Sequence, residues 1–332
     1  MKLNVSVLGA GSWGTTFAAS ASRNASVELW CRDAALATEI NEQHRNSRYL
    51  GDMPLPTRLS AHSNLDAVAS RADVLVVAVP SHGFRETLAR AAPHIRPWVP
   101  VISLSKGLEQ SSGLRMSELI AEILPGHPAG VLGGPNLAQE ILAGKAAASV
   151  LAMEDPAILS QLQQVFSSGV YRVYSNTDVI GCELGGVLKN VIAIACGMAD
   201  GMGAGDNTRA AMITRGLAEI SRLGVALGGQ SATFAGLAGL GDLVTTCSSR
   251  LSRNRHVGEQ LGLGRSLEEI IGEMRMVAEG VKSTGVAVAL AERMGVEVPM
   301  IREVGRVLAG GSPKRALRSL IRISAGAEAD PG

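Results

Sequence analysis

Residues 9 to 14 read Gly-Ala-Gly-Ser-Trp-Gly, directly behind the apolar run Leu3, Val5, Val7, Leu8 and directly ahead of an alanine-rich helical stretch. Glycines at the first, third and sixth places of a strand-to-helix turn confine the chain to one kind of unit. Gly9 allows the tight turn, Gly11 lets a pyrophosphate approach the backbone, and Gly14 lets helix and strand pack closely. The helix N-terminus adds free N–H groups and a partial positive charge for the phosphates. In a chain of 39 glycines the spacing alone is a weak signal. Its place on the first strand favours a dinucleotide loop over a plain glycine turn.

The rest of the first half alternates short β-branched runs with helical patterns. Val27–Cys31, Val74–Val79, Val101–Leu104, Gly130–Leu132, Ser149–Leu151 and Val170–Tyr174 read as strands. The run Asp73-Val74-Leu75-Val76-Val77-Ala78-Val79 has no polar alternation, as a strand covered by helices on both faces requires. A parallel, doubly wound sheet follows, at least in its first strands. From about Thr177 helical patterns dominate: Val179–Met198, Thr208–Leu227, Leu267–Glu273, Thr284–Met294 and Ile301–Leu308. The expected fold class is α/β, with a Rossmann domain over residues 1–175, an all-helical domain over 176–324 and a disordered tail over 325–332. The chemistry is expected in the crevice between the domains, outside the carboxyl ends of the strands.

Composition removes several alternatives. Thirty-one basic against 30 acidic side chains leave a formal charge of +1, and 3% aromatic residues are too few for base-stacking platforms, so nucleic acid is not an expected partner. Cys31, Cys182, Cys196 and Cys247 show no CxxC spacing, and the six histidines show no metal-binding pattern, so no metal and a reducing compartment are expected. The glycine loop interrupts the N-terminal apolar stretch before a signal-peptide core forms. No uninterrupted apolar segment reaches the roughly 18 residues needed to span a bilayer. The expected location is the cytoplasm.

Several constellations can carry chemistry. Behind the second strand stands Arg32-Asp33. A guanidinium suits a ribose 2′-phosphate, and one charge-assisted hydrogen bond of about 1.5–3 kcal/mol gives roughly tenfold preference or more. NADPH is therefore favoured, while Asp33 keeps NADH open and a solvated turn is the other reading of Arg32. Lys106 follows the strand Val101–Leu104, where it can meet substrate or nicotinamide, or simply be a surface lysine. The turn Gly133-Gly134-Pro135-Asn136 opens a helix whose N-terminal amides can bind an anion, though such turns also serve geometry alone.

Lys189 is the sharpest local anomaly. On its own helix face lie Gly185, Gly186, Ala193 and Cys196, all small, so another element can approach closely. A lysine there is either paired with an acid or held at a lowered pKa. Bringing it to roughly 7–8 for proton transfer takes about 3–4.5 kcal/mol of differential burial and charge. Asp242, in the apolar segment Gly239–Cys247 with Thr245 and Thr246, needs a partner if buried, and Lys189 is the obvious one. Ser252-Arg253-Asn254-Arg255 gathers phosphate-binding donors, or is a solvated basic turn. Glu279 adds an acid to which spacing assigns no role. Ser312–Arg322 reads as a capped basic helix, either lipid-touching or packed through Leu317, Leu320 and Ile321.

Together, Gly9–Gly14, Ser105-Lys106-Gly107, Gly134-Pro135, Leu188-Lys189-Asn190, Gly239–Leu243 and Ser252–Arg255 resemble the bacterial NAD(P)-dependent glycerol-3-phosphate dehydrogenases, from residue 3 to about 310. The resemblance implies reduction of dihydroxyacetone phosphate, a phosphorylated triose, to sn-glycerol 3-phosphate for phospholipid synthesis. It also implies a helical domain of the 6-phosphogluconate dehydrogenase C-terminal type, and a homodimer, for which the glycine- and alanine-rich helices offer an interface. It places Lys189 as acid/base with Asp242 beside it. Lys106, Gly134, Asn136, Lys189, Asp242, Ser252, Arg253 and Asn254 match substrate positions. Gly9, Gly11, Ser12, Trp13, Gly14, Arg32, Lys106, Ala138, Arg253, Val277 and Glu279 match cofactor positions. Asn136 departs from the threonine or serine expected there. The rival readings are a 3-hydroxy-acid or sugar-acid dehydrogenase and a non-catalytic NADPH sensor.

Overall fold

The structure, a computed structural model, describes residues 2–274 and 276–322. The tail expected over 325–332 and the Ile321 side chain lie outside the described residues. The backbone divides into two compact units, Met1–Ser105 with Leu114–Val179, and Lys106–Gly113 with the chain from Ile180 onward.

In the first unit eight strands form one sheet in the order β3-β2-β1-β4-β5-β6-β7-β8. They are β1 Asn4–Leu8, β2 Ser26–Trp30, β3 Ser60–His62, β4 Val74–Val77, β5 Val101–Ser103, β6 Ala129–Gly133, β7 Ala147–Met153 and β8 Tyr171–Asn176. The apolar run of β4 is used as expected. Val74 and Val76 join the core on one face with Val5, Val7 and Phe17, while Leu75 and Val77 join the other face with Leu8, Phe84 and Leu88. All pairings are parallel except β6 with β7, where Gly130 sits across from Met153 and Gly133 across from Val150. The reversal follows from its connection: the chain turns back through one helical turn, Ala138–Leu142, too short to return across the sheet. β3 is absent from the sequence reading because its three residues, Ser-Ala-His, carry no alternation signal.

The described residues of the second unit form helices and no strand. The ones that matter here are α2 Val179–Gly201, α3 Asp206–Ala226, α4 Asp242–Ser248, α5 Arg253–Gly262, α6 Glu279–Met294, α7 Pro299–Leu308 and α8 Pro313–Arg322. In the first unit α1 is Ser12–Ala21. By length and hydropathy α2 could cross a bilayer, but 94% of its most apolar 18-residue window is buried within the protein, and it reads as a core helix. α8 seats Ala316 and Leu320 in that core and exposes Lys314, Arg315 and Arg318.

The glycines of α2 and α5 face each other. A Cβ on Gly197 would sit 2.0 Å from the Arg255 carbonyl oxygen, on Gly201 2.2 Å from that of Glu259, on Gly258 2.0 Å from that of Ile194, and on Gly262 2.3 Å from that of Met198. At these four positions backbone therefore lies on backbone within the chain. We expect Gly258→Ala to destabilise the protein by about 1–3 kcal/mol or more. Gly272→Ala, at a helical position with nothing within 4 Å, should stabilise it by up to about 1 kcal/mol. Urea unfolding of the two variants checks both signs.

Candidate active site

The loop in the first unit is built as its sequence requires. Gly9 has φ +117°, and its N–H donates to the Trp30 carbonyl at 3.1 Å, which ties the turn to β2. A Cβ on Gly14 would lie 2.1 Å from the Gly9 oxygen and 2.8 Å from the Ala78 Cβ. On Gly11 it would meet nothing within 4 Å, so the middle of the loop is open. Thr15 N–H makes the first helical bond, to Gly11 O at 2.9 Å, and the amides of Ser12, Trp13 and Gly14 precede it as helix-terminal donors. The buried Trp13 Nε1 has no hydrogen-bond partner. An open glycine, three aimed amides and an orphan donor fit a dinucleotide phosphate group.

The remaining first-unit candidates lie around this loop. The Ala138 carbonyl accepts from Thr16 Oγ1 at 3.4 Å, which brings the turn after β6 against α1. Gly134 has φ +105°. Asn136 Oδ1 accepts from Ser149 Oγ at 2.5 Å, leaving its amide nitrogen buried and unpartnered. Arg32 is exposed, and Asp33 caps the helix Ala34–Gln43 by accepting from Ala35 N–H at 2.9 Å.

In the second unit a different group assembles. Lys106 packs with the helices although it follows β5 in the chain. The Asp242 carboxylate, 1% exposed, accepts from both Lys189 Nζ, at Oδ1, and Lys106 Nζ, at Oδ2, the latter at 2.7 Å. Lys189 Nζ also donates to Thr246 Oγ1 at 2.6 Å, and Thr246 returns its proton to the Asp242 carbonyl at 2.7 Å. Asp242 reaches this place because a π-helical turn, Leu237–Gly241, precedes α4 and resets its phase. Gly185 allows that turn in: a Cβ there would lie 2.6 Å from Ala238 O. Burial drives the Lys189 pKa down and the Lys106 charge lowers it further; Asp242 opposes them. The outcome is about 8, against an ordinary 10.5.

A polar chain extends from the lysines. Asn190 donates to the Lys106 carbonyl at 3.3 Å and accepts from Asn254 Nδ2 at 2.9 Å, and Asn254 Oδ1 in turn accepts from Gly280 N–H at 2.9 Å. Ser252 caps α5 by accepting from Arg255 N–H at 3.2 Å. Arg253 is exposed one residue on, and the Glu279 charge acts on it, while Val277 is half-buried just ahead of α6. The fourth residue of the expected phosphate set is not a donor to ligand. Arg255 is buried and paired with Asp200 at 2.8 Å, which also holds Arg209. Thr246, Asn190 and Gly280 join the site without a sequence signal of their own, save that the Thr246 hydroxyl stands four residues after Asp242.

A nucleotide loop at the carboxyl end of the interior strand β1, and a buried lysine–carboxylate–lysine centre in a helical unit, define a nicotinamide-dependent dehydrogenase class. Residues 4–159 match the family model described as NAD-dependent glycerol-3-phosphate dehydrogenase N-terminus, and residues 178–318 the corresponding C-terminus. A glycerol-3-phosphate dehydrogenase [NAD(P)+] from Sphingopyxis alaskensis is 60% identical over the full length of both chains. One from Mycobacterium tuberculosis is 53% identical over 96% of this chain and 94% of its own. The crystal structure of the Coxiella burnetii glycerol-3-phosphate dehydrogenase superposes with a TM-score of 0.93 at 37% identity, over 97% of this chain and 99% of that one. The chain belongs to the NAD-dependent glycerol-3-phosphate dehydrogenase family.

The open face of Gly11 yields a clean test. Gly11→Ala should keep the melting temperature of the wild type yet bind NADPH about ten- to a hundredfold more weakly, because the new methyl occupies ligand space alone. Nicotinamide fluorescence on titration measures the second quantity.

Proposed function

We propose that the chain catalyses the reversible, NAD(P)-dependent reduction of dihydroxyacetone phosphate to sn-glycerol 3-phosphate, the backbone precursor of glycerophospholipids. The observation that carries this reading is the buried Lys189, fixed by Asp242 and Thr246 with Lys106 on the same carboxylate. When bound, a reduced nicotinamide would supply the hydride that the ketone carbon accepts. Lys189 Nζ, as the ammonium, hydrogen-bonds the carbonyl oxygen, stabilises the charge growing there and gives it a proton; in the reverse direction the neutral amine takes that proton from the alcohol. Lys106 adds a second positive charge, so the cluster with Asp242 keeps a net charge of +1 for a phosphorylated substrate.

Arg253, Asn254 and the cap at Ser252 are assigned to the substrate phosphate and its contact with cofactor, and Asn136 Nδ2 and Gly134 to the substrate or nicotinamide edge. Gly9, Gly11, Ser12, Trp13, Gly14 and Ala138 are assigned to the dinucleotide, with Arg32 at its ribose and Val277 and Glu279 contributing from the start of α6. A cytoplasmic enzyme is supported by four free, buried cysteines. A homodimer is supported by family membership; its surface is to be sought among exposed apolar residues such as Val225 and Val244.

The direct test follows nicotinamide absorbance with dihydroxyacetone phosphate or unphosphorylated dihydroxyacetone. Oxidation only with the phosphorylated ketone supports the reading, and turnover of hydroxy-acid or sugar-acid substrates instead overturns it. Lys189→Ala should lower kcat by orders of magnitude with nucleotide binding retained, an outcome a non-catalytic sensor would not produce.

The pH dependence has a definite sign. The folded pKa of Lys189 lies below its ordinary value, so the ammonium is present below about pH 8 and lost above it. For ketone reduction kcat/KM should be level below that pH and fall above it; for alcohol oxidation it should rise through the same pH and then level. Profiles that are flat in both directions between pH 6.5 and 9.5 would remove Lys189 as the proton carrier.

A further inference from the structure

Asp33 occupies the region behind β2 where a dinucleotide fold that selects NADH offers a carboxylate to the ribose hydroxyls. Here that carboxylate is engaged on both sides. Oδ1 accepts from Ala35 N–H at 2.9 Å, and Oδ2 faces the Arg48 guanidinium at 3.6 Å. Arg48 is carried on a closed loop. Its neck is tied by Leu55 N–H donating to the His44 carbonyl at 2.7 Å and by a bridge between Arg45 and Pro54. His44 enters it in the left-handed region at φ 50°.

The loop is fastened to the glycine turn by one buried side chain. Asn46, fully buried, donates from Nδ2 to the Ala10 carbonyl at 2.9 Å and to Thr15 Oγ1 at 2.9 Å, and accepts at Oδ1 from Tyr49 N–H at 3.3 Å. Ala10 lies between Gly9 and Gly11, so the peptide that must meet the pyrophosphate and the backbone that carries Arg48 are held in register by one amide. Arg48 itself is more than half exposed and lies over the Tyr49 ring, 5.4 Å from its centroid. The stacking pre-orders a planar guanidinium with its donors still open to ligand.

We propose that Arg48 is a specificity-determining residue for the cofactor: it neutralises Asp33 and, with Arg32, receives the 2′-phosphate of NADPH, while Asn46 positions it relative to the glycine loop. The assignment rests on the dinucleotide reading of that loop. Arg48 faces, and the exposed Arg32 directly precedes in the chain, one carboxylate already committed to a helix cap, so the local balance is positive and favours a dianion over a pair of hydroxyls. Removing Arg48 releases the Asp33 charge to repel a phosphate and to accept from a 2′-hydroxyl.

Calorimetry with adenosine 2′,5′-bisphosphate and adenosine 5′-diphosphate tests this without turnover. For Arg48→Gln we expect the bisphosphate to bind about ten- to a hundredfold more weakly, with the 5′-diphosphate changed by less than about threefold. Asp33→Asn, which keeps an oxygen for the cap, should bind the bisphosphate more tightly. Equal binding of the bisphosphate by Arg48→Gln and wild type overturns the proposal, as does an equal loss of both probes, which would mark Arg48 as merely structural. A wild type that binds neither probe overturns the dinucleotide reading itself and the proposal with it.

Discussion

A carboxylate that is 1% exposed must be paired, and the pairing of Asp242 with two lysines organises the helical unit. Leaving any of the three alone would strand a charge in a poorly solvated place at a cost of several kcal/mol, typically about 3–5 for a broken buried pair. The surrounding irregularities make sense in that light. The π turn rotates Asp242 inward, Gly185 admits the turn against α2, and Thr246 takes a second of the three N–H donors of the Lys189 ammonium beside the one given to Asp242. A regular helix through Leu237–Ser248 would aim the carboxylate elsewhere.

The second requirement is that α5 lie close enough to α2 for Asn254 to reach Asn190. Four glycines, two per helix at a spacing of four, bring backbones into contact along the crossing. Arg255 then locks the crossing by pairing with Asp200 of α2. One stretch, Ser252–Arg255, thus divides its labour. Ser252 starts the helix, Arg253 stays outside, Asn254 extends the polar chain, and Arg255 turns inward to a structural partner. A helix period separates residues that look equivalent in the sequence.

That division also shows what could and could not be read from sequence. The glycine loop, the uniformly apolar β4 and the long helices were legible because their signals are local and periodic. Lys189 and its pairing with Asp242 were legible because a charge among small residues demands a partner. The π turn, the three-residue β3, the antiparallel β7 and the inward turn of Arg255 depend on tertiary partners that no window of sequence contains. The same holds for Asn46, whose contacts lie 31 and 36 residues away. The glycine- and alanine-rich helices were legible as close-packing surfaces, but whether they pack within one chain or between two is a question of partner, not pattern.

Lys106–Gly113 packs with the helical unit although it lies in the chain between two strands of the sheet. The backbone therefore passes from one unit to the other three times. No single cut separates them: a fragment beginning at residue 180 would carry Lys189 and Asp242 but not the second lysine on that carboxylate. In evolutionary terms the helical half cannot be inherited or exchanged as an independent module without losing part of its own ionic core, which ties the history of the helices to that of the sheet.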